Sequence, residues 1–323
     1  MKKSDLSKMR TAFLGLGTMG GILLEALFSE GILEPKNTVA TVRRPERAER
    51  LTEKLGIPVT TDNVKAAGQS ELVLLCLKPH TVGSVAREIA SEINPDKLVV
   101  SIAASVSTHY IEQSLGAEVP VVRVMPNTPS VVRSGMTGIC RGRHAEVSHL
   151  EVVRTLFESV GTAVVVDEKQ MDAVTGLSGS GPAFVYIILE SLAEAGVKVG
   201  LPRDVATLLA AGTLQGAARM TLETGHHPAL LKDAVTTPAG CTIEGILALE
   251  EGKLRATLIN AIVKATERAR ELAAELKAAE AVVQSGKANL RVAREHLVKR
   301  RIVAPFSGRV GIRRVSPGTL IEP

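Results

Sequence analysis

Between Arg10 and Val166 the chain alternates short apolar runs with helical patterns, and this alternation constrains the fold more than any other feature. The apolar runs are Thr11–Leu16, Thr38–Val42, Leu72–Leu77, Leu98–Ile102, Val119–Val124, Gly138–Cys140 and Ala163–Val166. Helical patterns fall between them at Met19–Ser29, Pro45–Leu55, Val82–Glu92 and Glu146–Val160. Near-continuous apolar strands separated by helices predict a mainly parallel, doubly wound sheet covered on both faces. After Asp167 no strand pattern remains. Helical patterns at Pro182–Ala195, Arg203–Glu223, Ala229–Val235, Ile243–Glu250 and Lys253–Leu272 predict an all-α second domain, with Gly196 and Gly225 closing the first two.

The expected organisation is therefore an α/β Rossmann-type dinucleotide-binding domain over 1–167, an all-α second domain over 168–274, to which the resemblance described below gives a substrate and oligomerisation role, and a tail over 275–323. Running into the tail, Leu272, Leu276, Ala279, Val283, Gly286, Leu290, Ala293 and Leu297 alternate at spacings of four and three, a heptad seam. The run Ile302–Ile321 reads as short strands and turns. Charge separates the tail from the rest. It carries ten Lys/Arg against four Asp/Glu, while the first 274 residues carry 29 against 30. The net charge of +5 thus marks the tail and gives the main body no nucleic-acid signature. Aromatic residues make up 2% of the chain, which also argues against base stacking.

The three cysteines, Cys76, Cys140 and Cys241, have neither disulfide nor zinc spacing, so a reducing, cytoplasmic location is expected. Lys2, Lys3, Lys8 and Arg10 ahead of the uncharged stretch Ala12–Leu24 outline a signal peptide, but Gly15, Gly17, Gly20 and Gly21 make a poor membrane helix. No membrane partner is expected. His226-His227-Pro228 lacks a third ligand and reads as a turn, so no metal is expected.

Gly15-Leu-Gly-Thr-Met-Gly20 follows the first apolar run and opens the first helical pattern. In such a unit the first glycine makes the tight turn, the second admits a pyrophosphate, and the third lets helix and strand pack closely. The second run ends in Val42-Arg-Arg44, where an NAD site usually carries an acid. The guanidinium groups of Arg43 and Arg44 suit a 2′-phosphate and favour NADPH, with NADH possible. Lys78, in Leu77-Lys-Pro-His80, and Asn127, in Met125-Pro-Asn-Thr-Pro129, sit on loops expected to border the cofactor. Leu231-Lys-Asp-Ala-Val-Thr-Thr-Pro-Ala-Gly-Cys-Thr-Ile-Glu244 reads as a hydroxyl-rich loop between helices. Thr242 occupies the expected N-cap, and the helix start forms a site for a small carboxylic acid. Apart from Cys241 the loop holds nothing that could act as a strong base or metal ligand, so the chemistry must come from elsewhere.

Ser178-Gly-Ser-Gly-Pro-Ala-Phe184, Met125–Pro129 and the loop Leu231–Thr242 together resemble the pyrroline-5-carboxylate reductase family, over roughly Thr11 to Leu272. The resemblance implies NAD(P)H-dependent reduction of 1-pyrroline-5-carboxylate to L-proline in a homo-oligomer interlocked through its helical domain. By position it implies cofactor contacts from Gly15, Leu16, Gly17, Thr18, Met19, Gly20, Asn63, Cys76, Leu77, Lys78 and Pro79. Substrate contacts fall to Thr237, Gly240, Cys241 and Thr242, with Thr242 beside the ring nitrogen. Two alternatives remain. One is another two-domain NADP-dependent reductase, although Pro182–Ala195 lacks the Lys or His that alcohol oxidation uses. The other is an inactive fusion that only binds cofactor. The tail is similar to one helix and half a lipoyl-like domain of periplasmic adaptor subunits of efflux pumps, through Arg301–Gly311 and Val315–Thr319. That similarity implies a helix followed by poorly ordered residues.

Overall fold

The computed structural model describes residues 3–299. One sheet of eight strands organises it: β1 (Thr11–Leu14), β2 (Thr38–Thr41), β3 (Val59–Thr60), β4 (Leu72–Leu75), β5 (Leu98–Ser101), β6 (Val121–Met125), β7 (Gly135–Arg141) and β8 (Gly161–Val165). Their order is β3-β2-β1-β4-β5-β6-β7-β8, and every pairing is parallel except β6 with β7. The doubly wound sheet expected from the apolar runs is present. Successive strand residues feed opposite faces, as the two-residue period of a strand requires. Phe13, Leu72, Leu74, Val100 and Val122 enter one buried cluster; Ala12, Leu14, Val73, Leu75, Val99 and Val121 enter the other.

The helices are α1 (Lys3–Leu6), α2 (Thr18–Ser29), α3 (Pro45–Leu55), α4 (Asn63–Gly68), α5 (Pro79–Ile89), α6 (Thr108–Leu115), α7 (Val147–Glu158), α8 (Met171–Val174), α9 (Gly181–Lys198), α10 (Arg203–Thr224), α11 (Pro228–Ala234), α12 (Cys241–Glu251) and α13 (Leu254–Lys299). Leu23, Leu24 and Leu27 of α2 and Val153, Leu156 and Phe157 of α7 cover the first face. Ala66 and Ala67 of α4, Val82, Ala86 and Ile89 of α5, and Ile111 and Leu115 of α6 cover the second. Each fully buried Leu or Ile is worth about 1.5–3 kcal/mol over leaving it in water. The carbonyls left over at the end of α4 are gathered by Lys97, whose Nζ donates to the oxygens of Ala67 at 2.9 Å, Gly68 at 2.9 Å and Ser70 at 2.6 Å.

No strand follows Val165 among the described residues. The first helical segment is pinned to the sheet by Arg123, buried on β6, which pairs with Glu168 and Asp172 at 3.7 Å each. The Glu168 carboxylate also accepts from the backbone N–H of Thr108 at 2.7 Å and its hydroxyl at 2.6 Å. A π-helical turn, Thr175–Gly179, then joins α8 to α9. Here Gly176 allows close crossing with α13: a Cβ on it would lie 2.3 Å from Thr266 Oγ1.

Several boundaries differ from the sequence reading. Gly196 does not close a helix but lies inside α9, where a Cβ would meet that of Ala206 at 2.8 Å, so its role is α9–α10 packing. Thr242 is not the N-cap of α12. Gly240 is, and Thr242 falls in the first turn. The pattern Lys253–Leu272 and the heptad seam that follows it are one helix, Leu254–Lys299. By internal contacts the chain divides into two compact units, Met1–Leu276 and Lys277–Pro323. Leu276 packs against the second buried cluster, whereas Val283, Leu290 and Leu297 of the heptad seam are exposed. The strand-like run Ile302–Ile321 lies outside the described residues.

Candidate active site

The turn between β1 and α2 gives each glycine of Gly15–Gly20 a separate task. Gly15 has φ +82°, a conformation that side-chain-bearing residues avoid, and a Cβ there would lie 2.3 Å from Leu77 Cδ2. Gly20 faces the end of β4, where a Cβ would lie 2.8 Å from the Cβ of Cys76. Gly17 differs: a Cβ there would find only the Gly15 oxygen, at 3.9 Å. The first and third glycines serve the fold, and the second borders open space at the N-terminus of α2. Leu16 is buried, Met19 packs on the first cluster, and Gly17 and Thr18 are exposed.

Helix N-termini along this edge leave amide groups uncapped. No side chain caps α2, α3 or α5, which follow β1, β2 and β4, whereas Asp62 caps α4 and Ser107 caps α6. Free N–H groups backed by helix dipoles attract anions. Arg43 and Arg44 are exposed beside them, Arg44 as the N-cap of α3 and Lys78 as the exposed N-cap of α5, with Pro79 in its first turn. These residues fit a dinucleotide phosphate: space at Gly17, the start of α2 without a side-chain cap, and cations at the rim.

Two residues the sequence did not single out complete this edge. Arg47 donates from Nη2 to the oxygen of Leu16 at 3.0 Å. Thr41 accepts from the Gly15 N–H at 3.1 Å and donates to Asn63 Oδ1 at 2.7 Å. The Asn63 amide nitrogen in turn donates to the Glu88 carboxylate at 3.1 and 3.3 Å. Asn127 is placed differently: it is buried, its Nδ2 donates to the Ser178 oxygen at 3.1 Å, and its Oδ1 accepts from Met136 N–H at 2.9 Å. It ties the β6 loop to the π-helical turn. Burial pushes the thiols of Cys76 and Cys140 up to about 12, the latter also through Glu168, so neither is a nucleophile at neutral pH.

The loop before α12 turns at Ala239, which has φ +56°. Gly240 has an ordinary extended backbone, but a Cβ on it would lie 2.3 Å from Thr237 Oγ1. The glycine therefore makes room for Thr237, and the left-handed turn comes one residue earlier. No side chain caps α12, leaving its first amides available. Thr237 and Cys241 are exposed; Gly240 and Thr242 are half-buried. Among the described residues, the loop's hydrogen bonds stay local, as in Thr236 Oγ1 to Lys232 O and Gly240 N to Thr237 O, and none reaches the glycine turn. A depression of about 460 Å³ lies elsewhere, between α3 and β3, and includes none of these residues.

A glycine turn on a doubly wound sheet, followed by a helical part whose α12 starts without a side-chain cap, is the layout of a two-part dinucleotide-dependent oxidoreductase. Comparison with known proteins narrows the class. A family model described as NADP oxidoreductase coenzyme F420-dependent matches residues 10–105, and one for pyrroline-5-carboxylate reductase dimerisation matches residues 168–272. The chain is 44% identical over 267 residues to the pyrroline-5-carboxylate reductase of Methanosarcina acetivorans, covering 83% of this chain and 99% of that one. The Arabidopsis thaliana enzyme is 38% identical, over 81% and 95% of the two chains. Among solved structures, a pyrroline-5-carboxylate reductase from Coxiella burnetii superposes with a TM-score of 0.76 at 36% identity, over 82% of this chain and 98% of that chain. A Plasmodium falciparum pyrroline carboxylate reductase with NADP bound gives 0.75 at 29%, over 83% and 99%. The chain belongs to the pyrroline-5-carboxylate reductase family. Its activity is the NAD(P)H-dependent reduction of 1-pyrroline-5-carboxylate to L-proline, the last step of proline biosynthesis.

Proposed function

We propose that the dinucleotide is NADPH, held by Gly15, Leu16, Gly17, Thr18, Met19 and Gly20, with Arg43 and Arg44 on the 2′-phosphate. Asn63 bonds the ribose, Cys76, Leu77, Lys78 and Pro79 line the far side, and Asn127 stiffens the loop beside the nicotinamide. The start of α12 takes the substrate: its free amides, with Thr237, Gly240 and Cys241, receive the carboxylate, and the Thr242 hydroxyl donates to the ring nitrogen. When bound, the reduced nicotinamide supplies a hydride to the imine carbon. The chain's own task is to orient the imine, exclude water and let a proton reach the nitrogen. Hydride transfer to an imine requires no nucleophile from the chain. The observation that carries this reading is the uncapped first turn of α12, with Thr242 half-buried within it.

The assembly we infer is an interlocked dimer built through the helical part, with dimers assembling further. In support, α9, α10 and α12 expose Tyr186, Ile187, Leu208, Leu222 and Leu247 at 52–82%, a surface that water alone would leave costly. Among the described residues no helix is long and apolar enough to cross a membrane, and we place the enzyme in the cytoplasm on its unpaired cysteines. We read the segment after Leu272, beyond the dimerisation match, as an attached piece similar to an efflux-pump adaptor helix, with no part in the reaction.

One assay tests this reading. NADPH oxidation is followed with pyrroline-5-carboxylate, using the full chain and a chain ending at Leu276. Turnover in both supports it. Activity only after truncation assigns the tail an inhibitory effect on assembly, and silence in both overturns it.

A further inference from the structure

Thr41 closes β2 with only 1% of its surface exposed, and its carbonyl and hydroxyl both bond to the glycine turn, the hydroxyl also to Asn63. Its carbonyl accepts from Leu16 N–H at 2.8 Å. Its hydroxyl accepts from Gly15 N–H at 3.1 Å and donates to Asn63 Oδ1 at 2.7 Å. A hydroxyl has a single proton, so donating it to Asn63 fixes both the hydroxyl rotor and the side-chain amide. With Oδ1 occupied, the Asn63 NH₂ must point the other way, and there it meets Glu88 at 3.1 and 3.3 Å. One buried side chain thus holds two separate pieces of the sheet edge, the glycine turn after β1 and the start of α4, in a single frame.

We infer that Thr41 is a positioning residue for the dinucleotide, and the inference rests on the reading of Gly15–Gly20 and Asn63 as its binding residues. Thr41 holds the turn in its binding shape before ligand arrives and presents Asn63 as a donor rather than an acceptor. The ordering cost is met in folding, so it is not subtracted from cofactor affinity. Glu88, exposed, is the placeholder on the Asn63 amide that a ligand oxygen would replace.

Thr41→Val preserves the shape of the side chain but strands the Gly15 donor and frees the Asn63 amide to rotate. The expected result is a rise of about tenfold in the dissociation constant and KM for NADPH, with kcat at saturating cofactor near wild type. Thr41→Ser should restore both. Asn63→Ala separates the two readings. If it leaves NADPH affinity unchanged, the ribose assignment of Asn63 falls, whatever Thr41 does. If it weakens affinity and the double variant binds NADPH no more weakly than Thr41→Val alone, the coupling through Asn63 stands; full additivity of the two losses overturns it. A Thr41→Val enzyme with a lower melting temperature and wild-type KM for NADPH reduces Thr41 to a structural residue. Should that variant not fold, hydrogen exchange on the wild-type chain decides: the Gly15 amide should be protected without NADPH, and protection that appears only on adding NADPH overturns the proposal.

Discussion

Gly20 lies so close to Cys76 that a Cβ on the glycine would sit 2.8 Å from the cysteine's own Cβ. The first turn of α2 rests directly on the chain leaving β4, with no atom to spare. Gly20→Val should force the two apart at an overpacking cost of about 1–3 kcal/mol. Both the melting temperature and NADPH affinity should fall, which thermal denaturation and fluorescence titration would read. Unchanged affinity with a lowered melting temperature would detach this contact from cofactor binding.

The thiols of Cys76 and Cys140 are pushed up to about 12 by burial. An unfolded thiol loses its proton near pH 8.5. Above that pH the unfolded chain binds fewer protons than the folded one, so stability falls as pH rises toward 12, by up to about 1.4 kcal/mol per unit for each thiol. Alkylation of the native enzyme at pH 8 should spare both residues until denaturant is added. Rapid native labelling of Cys76 would contradict the packing at Gly20.

Thr242 sits in the first turn of α12 and is assigned the ring nitrogen. Thr242→Ala should lower kcat by about 10- to 100-fold, on the scale of one lost oriented hydrogen-bond donor. NADPH affinity should stay as it was, and Thr242→Ser should recover most of the turnover. Steady-state kinetics paired with cofactor titration distinguishes this from a general loss of fold.

Arg43 and Arg44 are exposed at the end of β2, and we assign them to the 2′-phosphate. Replacing both with Ser should raise KM for NADPH at least about tenfold and leave KM for NADH nearly unchanged, because only the former carries the 2′-phosphate. Equal losses for both cofactors would assign the arginines to the shared diphosphate instead.

Arg123 is buried, with Nε and Nη2 lacking hydrogen-bond partners, and its charge is balanced by Glu168 and Asp172. Arg123→Met leaves two carboxylates facing a buried apolar group and should destabilise the fold by about 3–5 kcal/mol. Adding Glu168→Gln and Asp172→Asn should recover part of that loss, measured by denaturant unfolding. No recovery would mean that Arg123 acts through its packing alone.

The sheet was legible because burial on both faces makes strands such as Leu72–Leu75 nearly continuous apolar runs. β3 has two residues and α4 six, too short to build a period, and α6 went unread as well. In β7, Gly135 and Gly138 dilute the apolar pattern so that only Gly138–Cys140 stands out in the sequence, yet the strand spans Gly135–Arg141. Residue type alone marked Thr242 as an N-cap. The left-handed turn at Ala239 starts the helix earlier, and no local pattern announces it. Thr41, Arg47 and Glu88 were invisible for another reason. Their partners lie 22 to 31 residues away, and only the closed sheet edge brings them together.

The three glycines of the first turn answer to different masters over evolutionary time. Gly15 and Gly20 are demanded by neighbouring atoms of the same chain, whereas Gly17 borders only empty room. A descendant that abandoned its coenzyme would still lose viability as a fold on changing the outer two, while the middle one drifted. On the proposed binding role, the middle glycine is the position whose retention, across a lineage, would register the ligand rather than the fold.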